Sequence, residues 1–349
     1  MEYYTIDRIM QHKCTYNILL GQRSNGKSYS VKKECVKEAF LGMGDLIYLR
    51  RWKLELKQED VIDYFRDCPT EEITGGEFNH IDVYRGRIYL ANINEAGEVT
   101  RGRSIGRTAD LAGAAHLKSV IQRGIYKNII YEEFCTDSGY LSGGREPNKL
   151  MQFVATVFGV QYTGRVWMIG NTVSRYNPYF YCWQLKTLQK MKPGDIDIYR
   201  YTDGDSEVSI AVEFCSSLNV ANNMFIGDAK ANITTGVWET TSQPMVPEEF
   251  GKFKVVYRMA VEYQDFRFIL KVIKNKASEM LLLCVNDPDE KARRVVSDRI
   301  SGDIMTTTKM LPLTRGDEII LSLIKRGKMV YANNLVGTDF QSILKNVAI

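Results

Sequence analysis

Asn17-Ile-Leu-Leu-Gly-Gln-Arg-Ser-Asn-Gly-Lys-Ser28 is a short apolar run that opens directly into the pattern Gly21-x-x-x-x-Gly26-Lys27-Ser28. The pattern is that of a phosphate-cradling loop between a buried strand and a helix. Gly21 and Gly26 lack a Cβ, so successive backbone N–H groups can turn inward on an anion, and the following helix presents its positive end to the same anion. Lys27 supplies a point charge for the β and γ oxygens, and the Ser28 hydroxyl is placed to reach a divalent cation. The residues expected to wrap the phosphates are Gly21, Gln22, Arg23, Ser24, Asn25, Gly26, Lys27 and Ser28, with ATP and Mg²⁺ as the cofactors.

Outward from this loop, apolar runs that read as buried strands recur at 17–20, 45–49, 128–131 and 165–170, and helical spacing appears at 27–41, 56–66 and 146–158. Such alternation predicts an α/β domain with a mostly parallel sheet flanked by helices. Between 76 and 107 the texture turns to alternating residues and turn signals, which predicts an inserted antiparallel hairpin. From 193 onward Gly, Asp, Ser, Asn and Thr accumulate. The expected organisation is a nucleotide domain over 1–205, a linker over 206–250 and a small α+β domain over 251–349. Within the last, 253–273 and 279–285 read as β structure, with helices at 287–300 and 316–326.

A loop of this kind that hydrolyses its nucleotide needs an acid at a strand end to fix the metal and commonly a glutamate to orient water. Ile129-Ile-Tyr-Glu132-Glu133 is the best candidate: Glu132, with Ser28, for the metal and Glu133 for the water. Aspartate is usual on the metal side, so Glu132 is a departure, one methylene longer. The long stretch between Lys27 and Glu132 leaves room for an extra strand between the two motif strands, the arrangement of additional-strand, catalytic-glutamate (ASCE) ATPases. Asn171, at the end of the run Met168-Ile-Gly-Asn-Thr172, stands where a γ-phosphate sensor belongs.

The bulk numbers fit a globular protein: 349 residues, 44% apolar, 25% charged and a net charge of +4. That charge is too mild to declare a nucleic-acid binder from composition. Seven cysteines without a C-x-x-C pair and three scattered histidines argue against a zinc site or a disulfide framework. No segment is long and apolar enough to span a membrane, and the N-terminus lacks a signal-peptide core. A cytoplasmic location is expected.

Several boxes together resemble the genome-packaging ATPases, or encapsidation proteins, of phi-twenty-nine-like small podoviruses, which are kin of the terminase large subunits. They are Ile18-Leu-Leu-Gly-Gln-Arg-Ser-Asn-Gly-Lys-Ser-Tyr29, Ile47-Tyr-Leu-Arg-Arg-Trp-Lys53, Ile129-Ile-Tyr-Glu-Glu-Phe134, Thr156-Val-Phe158 and Gly170-Asn-Thr-Val-Ser-Arg-Tyr-Asn-Pro-Tyr-Phe180, with a weaker echo at Phe225-Ile-Gly-Asp228. The resemblance covers residues 15 to 230. It implies a homo-oligomeric ring, a pentamer, that docks on the portal of an empty prohead, with a structural RNA as a further possible partner, and threads double-stranded DNA by hydrolysing ATP. The place of action is then the host cytoplasm and, transiently, the prohead, not the mature virion. It also implies a C-terminal domain that is a vestigial RNase H-like nuclease. No pattern among Glu262, Asp265, Glu279, Asp287, Asp289 and Asp298 singles out a metal-binding triad, so nuclease activity is not expected.

In such a motor Arg50, Arg51 and Lys53 would follow DNA phosphates from the tip of the second strand, although pairing of an arginine with Glu55 or Glu59 is an equal alternative. Arg101 and Arg103, with Arg107, read as a glycine-loosened basic loop of the same use, or as solvated surface. Ring motors place an active site at a subunit boundary, where a neighbour's cation neutralises the γ-phosphate. Arg145 and Arg165 are the named candidates, beside Arg123 and Lys118, all expected near the Glu132-Glu133 face. The segment 159–165 departs from the family at the position where a relative carries its arginine. Two rivals stay open: a P-loop phosphotransferase on a small acceptor, and a binding module switched by nucleotide.

Overall fold

The computed structural model describes residues 3–347 apart from 118–120, 123, 137–138, 142–144, 160–163, 173–174, 176, 204–205, 217–237, 239, 264–265, 293, 298–305 and 308–311. The chain divides into two compact units, with the main boundary after Trp238.

Unit 1 is built on a nine-stranded sheet. Its strands are β1 (Tyr16–Leu20), β2 (Asp45–Arg50), β3 (His80–Tyr84), β4 (Arg87–Ile93), β5 (Val99–Asp110), β6 (Tyr126–Glu132), β7 (Arg165–Ile169), β8 (Ile196–Asp203) and β9 (Ser206–Phe214). They lie in the order β3-β4-β5-β2-β6-β7-β1-β9-β8, parallel from β5 through β9 and antiparallel at both margins. Helices cover both faces, which is why the parallel strands read as unbroken apolar runs. On one face Ile18 and Leu20 pack with Leu150, Phe153 and Val157 of α3 (Glu146–Phe158). On the other, Leu19 packs with Val31 and Cys35 of α1 (Lys27–Phe40) and with Phe65 of α2 (Gln58–Phe65).

This is an α/β P-loop fold of the additional-strand type. The intervening strand between β1 and β6 is β7, which follows β6 in the chain. The reading that placed room for it between Lys27 and Glu132 is corrected: that stretch supplies β2, beyond β6, and the β3–β4–β5 insertion. The insertion begins with the expected tight hairpin. Arg85 and Gly86 both take positive φ (49° and 72°), the backbone of a type I′ turn.

The expected linker over 206–250 differs from what is observed. Ser206–Phe214 is β9, paired in parallel with β1, so it is integral to the sheet. Gly204-Asp205-Ser206 reads as loop punctuation, and the strand after it shows little alternation because its second half is buried on both faces. At the other end, residues 241–247 hydrogen-bond inside unit 2, with Gln243 N–H donating to the Asn334 side chain and Tyr331 N–H to the Pro244 carbonyl.

Unit 2 carries a six-stranded sheet in the order β14-β13-β10-β11-β12-β15. The strands are β10 (Phe253–Tyr263), β11 (Phe266–Asn275), β12 (Met280–Val285), β13 (Val295–Ser297), β14 (Thr306–Thr307) and β15 (Met329–Tyr331). β10, β11 and β12 form an antiparallel meander, and β13 and β14 add in parallel beyond β10. One face is packed by α4 (Arg315–Lys325) and α5 (Asn334–Val347) through Leu323, Val336, Phe340 and Ile343. The helix expected over 287–300 is replaced, in its described part, by irregular chain leading into β13. Thr314 opens α4 with a capping box closed by Asp317.

Candidate functional site

The phosphate loop joins β1 to α1. Gly26 sits at the helix N-cap with φ 100°, and Ser24 adopts φ 56°. A Cβ on Gly26 would press to 3.3 Å from Tyr3, and one on Gly21 to 3.2 Å from the Cys215 carbonyl just past β9. Both glycines are therefore required by conformation and by close approach. The loop is pinned from outside: Tyr4 N–H donates to the Asn25 carbonyl (3.0 Å) and Asn25 Nδ2 to the Ser216 carbonyl (3.3 Å).

Lys27 is buried and turns back over the loop. Its Nζ donates to the Gln22 carbonyl (2.5 Å), Asn25 Oδ1 (3.1 Å) and the Gly21 carbonyl (3.4 Å). Burial lowers its pKa, partly offset by the nearby Cys215 and Glu132. A desolvated ammonium held only by neutral oxygens gains strongly from a polyanion.

β6 delivers the two acids to the same place. Ser28 Oγ donates to Glu132 Oε1 at 2.7 Å, so the ends of two motifs separated by 104 residues meet. Tyr64, in the last turn of α2, donates its hydroxyl to Glu132 Oε2 at 3.0 Å. Burial raises the Glu132 pKa, and the hydrogen bonds from Ser28 and Tyr64 pull it back down. The next residue, Glu133, takes φ 54°, which a non-glycine residue adopts at a cost. Its exposed carboxylate accepts from Arg50 at 2.6 Å. Glu132, Glu133, Lys27, Ser28 and Asn171 line one cavity of about 770 Å³, together with Arg23, Ser24, Asn25 and Gly26. Gln22 is buried.

Several of the basic residues read as DNA contacts have other partners. Arg51 is buried and donates from Nε and Nη2 to the two oxygens of Glu146 (2.9 and 3.1 Å), and to the carbonyls of Phe134 (2.6 Å) and Glu133 (3.2 Å). Glu146 also accepts from the Tyr131 and Tyr179 hydroxyls and the Leu141 N–H, so the carboxylate is saturated and Arg51 uses four of its five N–H groups inside the protein. Arg51 is thus a brace under the Glu133 backbone, which corrects its assignment to DNA. Arg50 pairs with Glu133 and with Glu55 (3.0 Å), and so belongs to the site. Arg101 and Arg103 lie in β5, an ordered strand rather than a loop. Arg101 pairs with Asp82 and stacks on Tyr84, whereas Arg103 caps the α1 C-terminus through the Ala39 and Phe40 carbonyls. Lys53 stands exposed beside exposed Trp52 and Leu54, and Arg101 and Arg103 are exposed on β5 as well, although each has a partner there.

The expected arginines also separate. Arg165 begins β7, at the end of the parallel sheet opposite the phosphate loop, and pairs there with Glu38. The expectation that it lies near the Glu132-Glu133 face is corrected: chain order placed it there, but strand direction carries it away. Arg145 is exposed at the N-terminus of α3. Lys118 and Arg123 lie outside the described residues. Sequence reasoning missed Tyr64 and the Arg51–Glu146 brace, because both are made by elements far apart in the chain.

Comparison with known proteins bears on the family and the fold. The family model described as podovirus DNA encapsidation protein (Gp16) matches residues 1–235. A DNA packaging protein of Bacillus phage B103 is 31% identical over 164 residues, 47% of this chain and 46% of that protein. The DNA packaging protein of Bacillus phage phi29 is 28% identical over 182 residues, 51% of this chain and 49% of that protein. The chain thus matches about half the length of these curated relatives. Among solved structures, the bacteriophage Phi-29 viral genome packaging motor assembly aligns with a TM-score of 0.58 at 19% identity over 99% of both chains. The Phi-28 gp11 DNA packaging motor aligns at 0.51 and 15% identity over 99% of this chain and 98% of that one. At these identities the structures speak for the fold. With two thirds of its length under the family model, the chain belongs to the podovirus DNA encapsidation protein (Gp16) family.

Proposed function

We propose that this protein is an ATPase that drives double-stranded DNA into a viral prohead. One observation carries the reading: Ser28 and Glu132 meet at 2.7 Å on the wall of a cavity that Lys27, Glu133 and Asn171 also line. The donor set suits Mg²⁺, since it offers two hard oxygen groups from the protein and leaves the other positions to phosphate oxygens and water. Among the described residues no cluster of three or more His, Cys, Asp or Glu competes as an all-protein metal cage. Ser28 and Glu132 would hold the ion, which screens the phosphate oxygens when bound. The loop N–H groups and Lys27 would bind the β and γ oxygens, Glu133 would orient the attacking water, and Asn171 would contact the γ-phosphate.

Arg145, exposed at a helix N-terminus, is the remaining described candidate for a cation offered to a neighbour's nucleotide. Lys53 is the remaining basic side chain at the tip of β2 for DNA phosphates. A pentameric ring on the portal, with or without a structural RNA, is the assembly this reading implies. For unit 2, a meander with two parallel strands beyond its first member supports an RNase H-like ancestry. Among its described carboxylates, Glu262 is ion-paired with Arg267, Glu290 with Arg258 and Lys271, and Asp317 with Arg294, while Glu279 accepts from Asn275 and Asp287 from the Asp289 and Glu290 N–H groups. Asp265 and Asp298 lie outside the described residues. These engagements, with no cluster of three or more metal-ligating side chains among the described residues, support a unit that does not cut DNA.

The test is ATP hydrolysis with and without double-stranded DNA, alongside packaging into proheads. Lys27→Ala and Glu133→Gln are each expected to lower DNA-stimulated turnover by about a hundredfold or more. Unchanged turnover in both variants refutes the site. Turnover indifferent to DNA in the parent protein favours the small-acceptor phosphotransferase.

A further inference from the structure

Glu132 is one methylene longer than the aspartate usual at its position, and a longer carboxylate has one more rotatable bond to be fixed before it can serve a metal. The protein fixes it from two sides. Ser28 donates its proton to Oε1 and keeps its lone pairs for a cation, while Tyr64 donates to Oε2. Tyr64 comes from α2, an element with no part in either nucleotide motif.

The tyrosine is itself held. Its ring lies 4.5 Å from that of Tyr48 on β2 and meets Phe65 edge-on at 5.0 Å. The Lys32 ammonium sits 4.6 Å over the same ring and donates to the Tyr64 carbonyl at 2.5 Å, while pairing with Asp67. No rearrangement is needed for the tyrosine to act, the condition for a preorganised support.

We propose that Tyr64 is a positioning residue for the metal subsite, the side chain that adapts a glutamate to the aspartate's task; this rests on reading the cavity as a Mg²⁺–nucleotide site. Without its hydroxyl, Glu132 Oε2 loses its donor and the carboxylate swings, so the metal is held less well while the phosphate loop is untouched.

The experiment is calorimetric titration of the full chain with AMP-PNP in EDTA and then over a series of Mg²⁺ concentrations. For Tyr64→Phe, affinity in EDTA is expected to equal the parent's, while the Mg²⁺ needed for half of the metal-dependent tightening rises about tenfold. The melting temperature of the variant without ligand checks that the fold is intact. A metal requirement equal to the parent's overturns the proposal. Glu132→Asp separates positioning from packing: its shorter side chain withdraws from Tyr64, so adding Tyr64→Phe to it is expected to cost nothing further. A full second tenfold rise in the double variant overturns the proposal, because the hydroxyl would then act by another route. A parent protein whose AMP-PNP affinity ignores Mg²⁺ refutes the site reading itself, and the proposal falls with it.

Discussion

Glu133 faces a choice between Arg50 and a water molecule. With its carboxylate 2.6 Å from the guanidinium, it is turned toward the tip of β2. Arg50→Ala releases it, and the expected outcome is a rise of about threefold in DNA-independent ATP turnover, read by phosphate release, with weaker stimulation by DNA. A second residue-scale effect concerns stability. Burial holds the Asp339 carboxyl at about 6, with Arg175 opposing, against 3.8 for the free group. From pH about 4 to about 6 the folded unit keeps a proton that the unfolded chain has released, so stability falls as pH rises and the full penalty stands above 6. Asp339→Asn lacks that slope. Urea titrations across this range are expected to show the variant gaining about 2 kcal/mol on the parent, levelling off above pH 6. At this scale the sequence was a good guide to the phosphate loop and to the acid pair, whose residues are contiguous. It was a poor guide to the arginines, because whether a guanidinium faces DNA or an acid depends on what the fold brings near it. Arg51 and Glu146 are 95 positions apart in the chain.

Among the elements, the parallel strands were legible and their neighbours less so. An apolar run bounded by turn residues announces a buried strand, and β1, β2, β6 and β7 all have that form. β9 was hidden by the loop-like residues before it, and β5 by glycines that suggested a mobile basic loop. The reason for one of those glycines is packing: a Cβ on Gly106 would lie 2.2 Å from the Leu46 carbonyl on β2. Backbone cannot give way there as a side-chain tip does. Gly106→Ala is expected to destabilise unit 1 by about 2 to 3 kcal/mol, measured by denaturant unfolding, by prising β5 from β2. Gly97, with open space at its Cβ position but φ of 81°, serves as a milder comparison.

For the molecule as a whole, the proposed activity belongs to an assembly. An active site that borrows a cation from a neighbour is incomplete in the monomer, so turnover per chain should rise with protein concentration and level off once rings form. Arg145→Ala is expected to flatten that curve, with a maximum lowered about tenfold or more while nucleotide affinity in dilute solution is kept. Activity measured from nanomolar to micromolar chain, beside sedimentation to follow assembly, checks both statements. A curve unchanged in Arg145→Ala would pass the role to another cation.

The sequence by itself determined that a phosphate loop exists, that an acid pair ends a buried strand, and that the two belong to an α/β sheet. Each of these is written in contiguous residues, where local backbone chemistry and burial pattern are enough. Only the tertiary structure decided that β7 is the strand between them, that Arg165 stands at the far end of the sheet, that Arg50 and Arg51 serve Glu133, and that Tyr64 holds Glu132. Those facts depend on strand order and direction, which arise when distant segments compete to bury the same apolar faces.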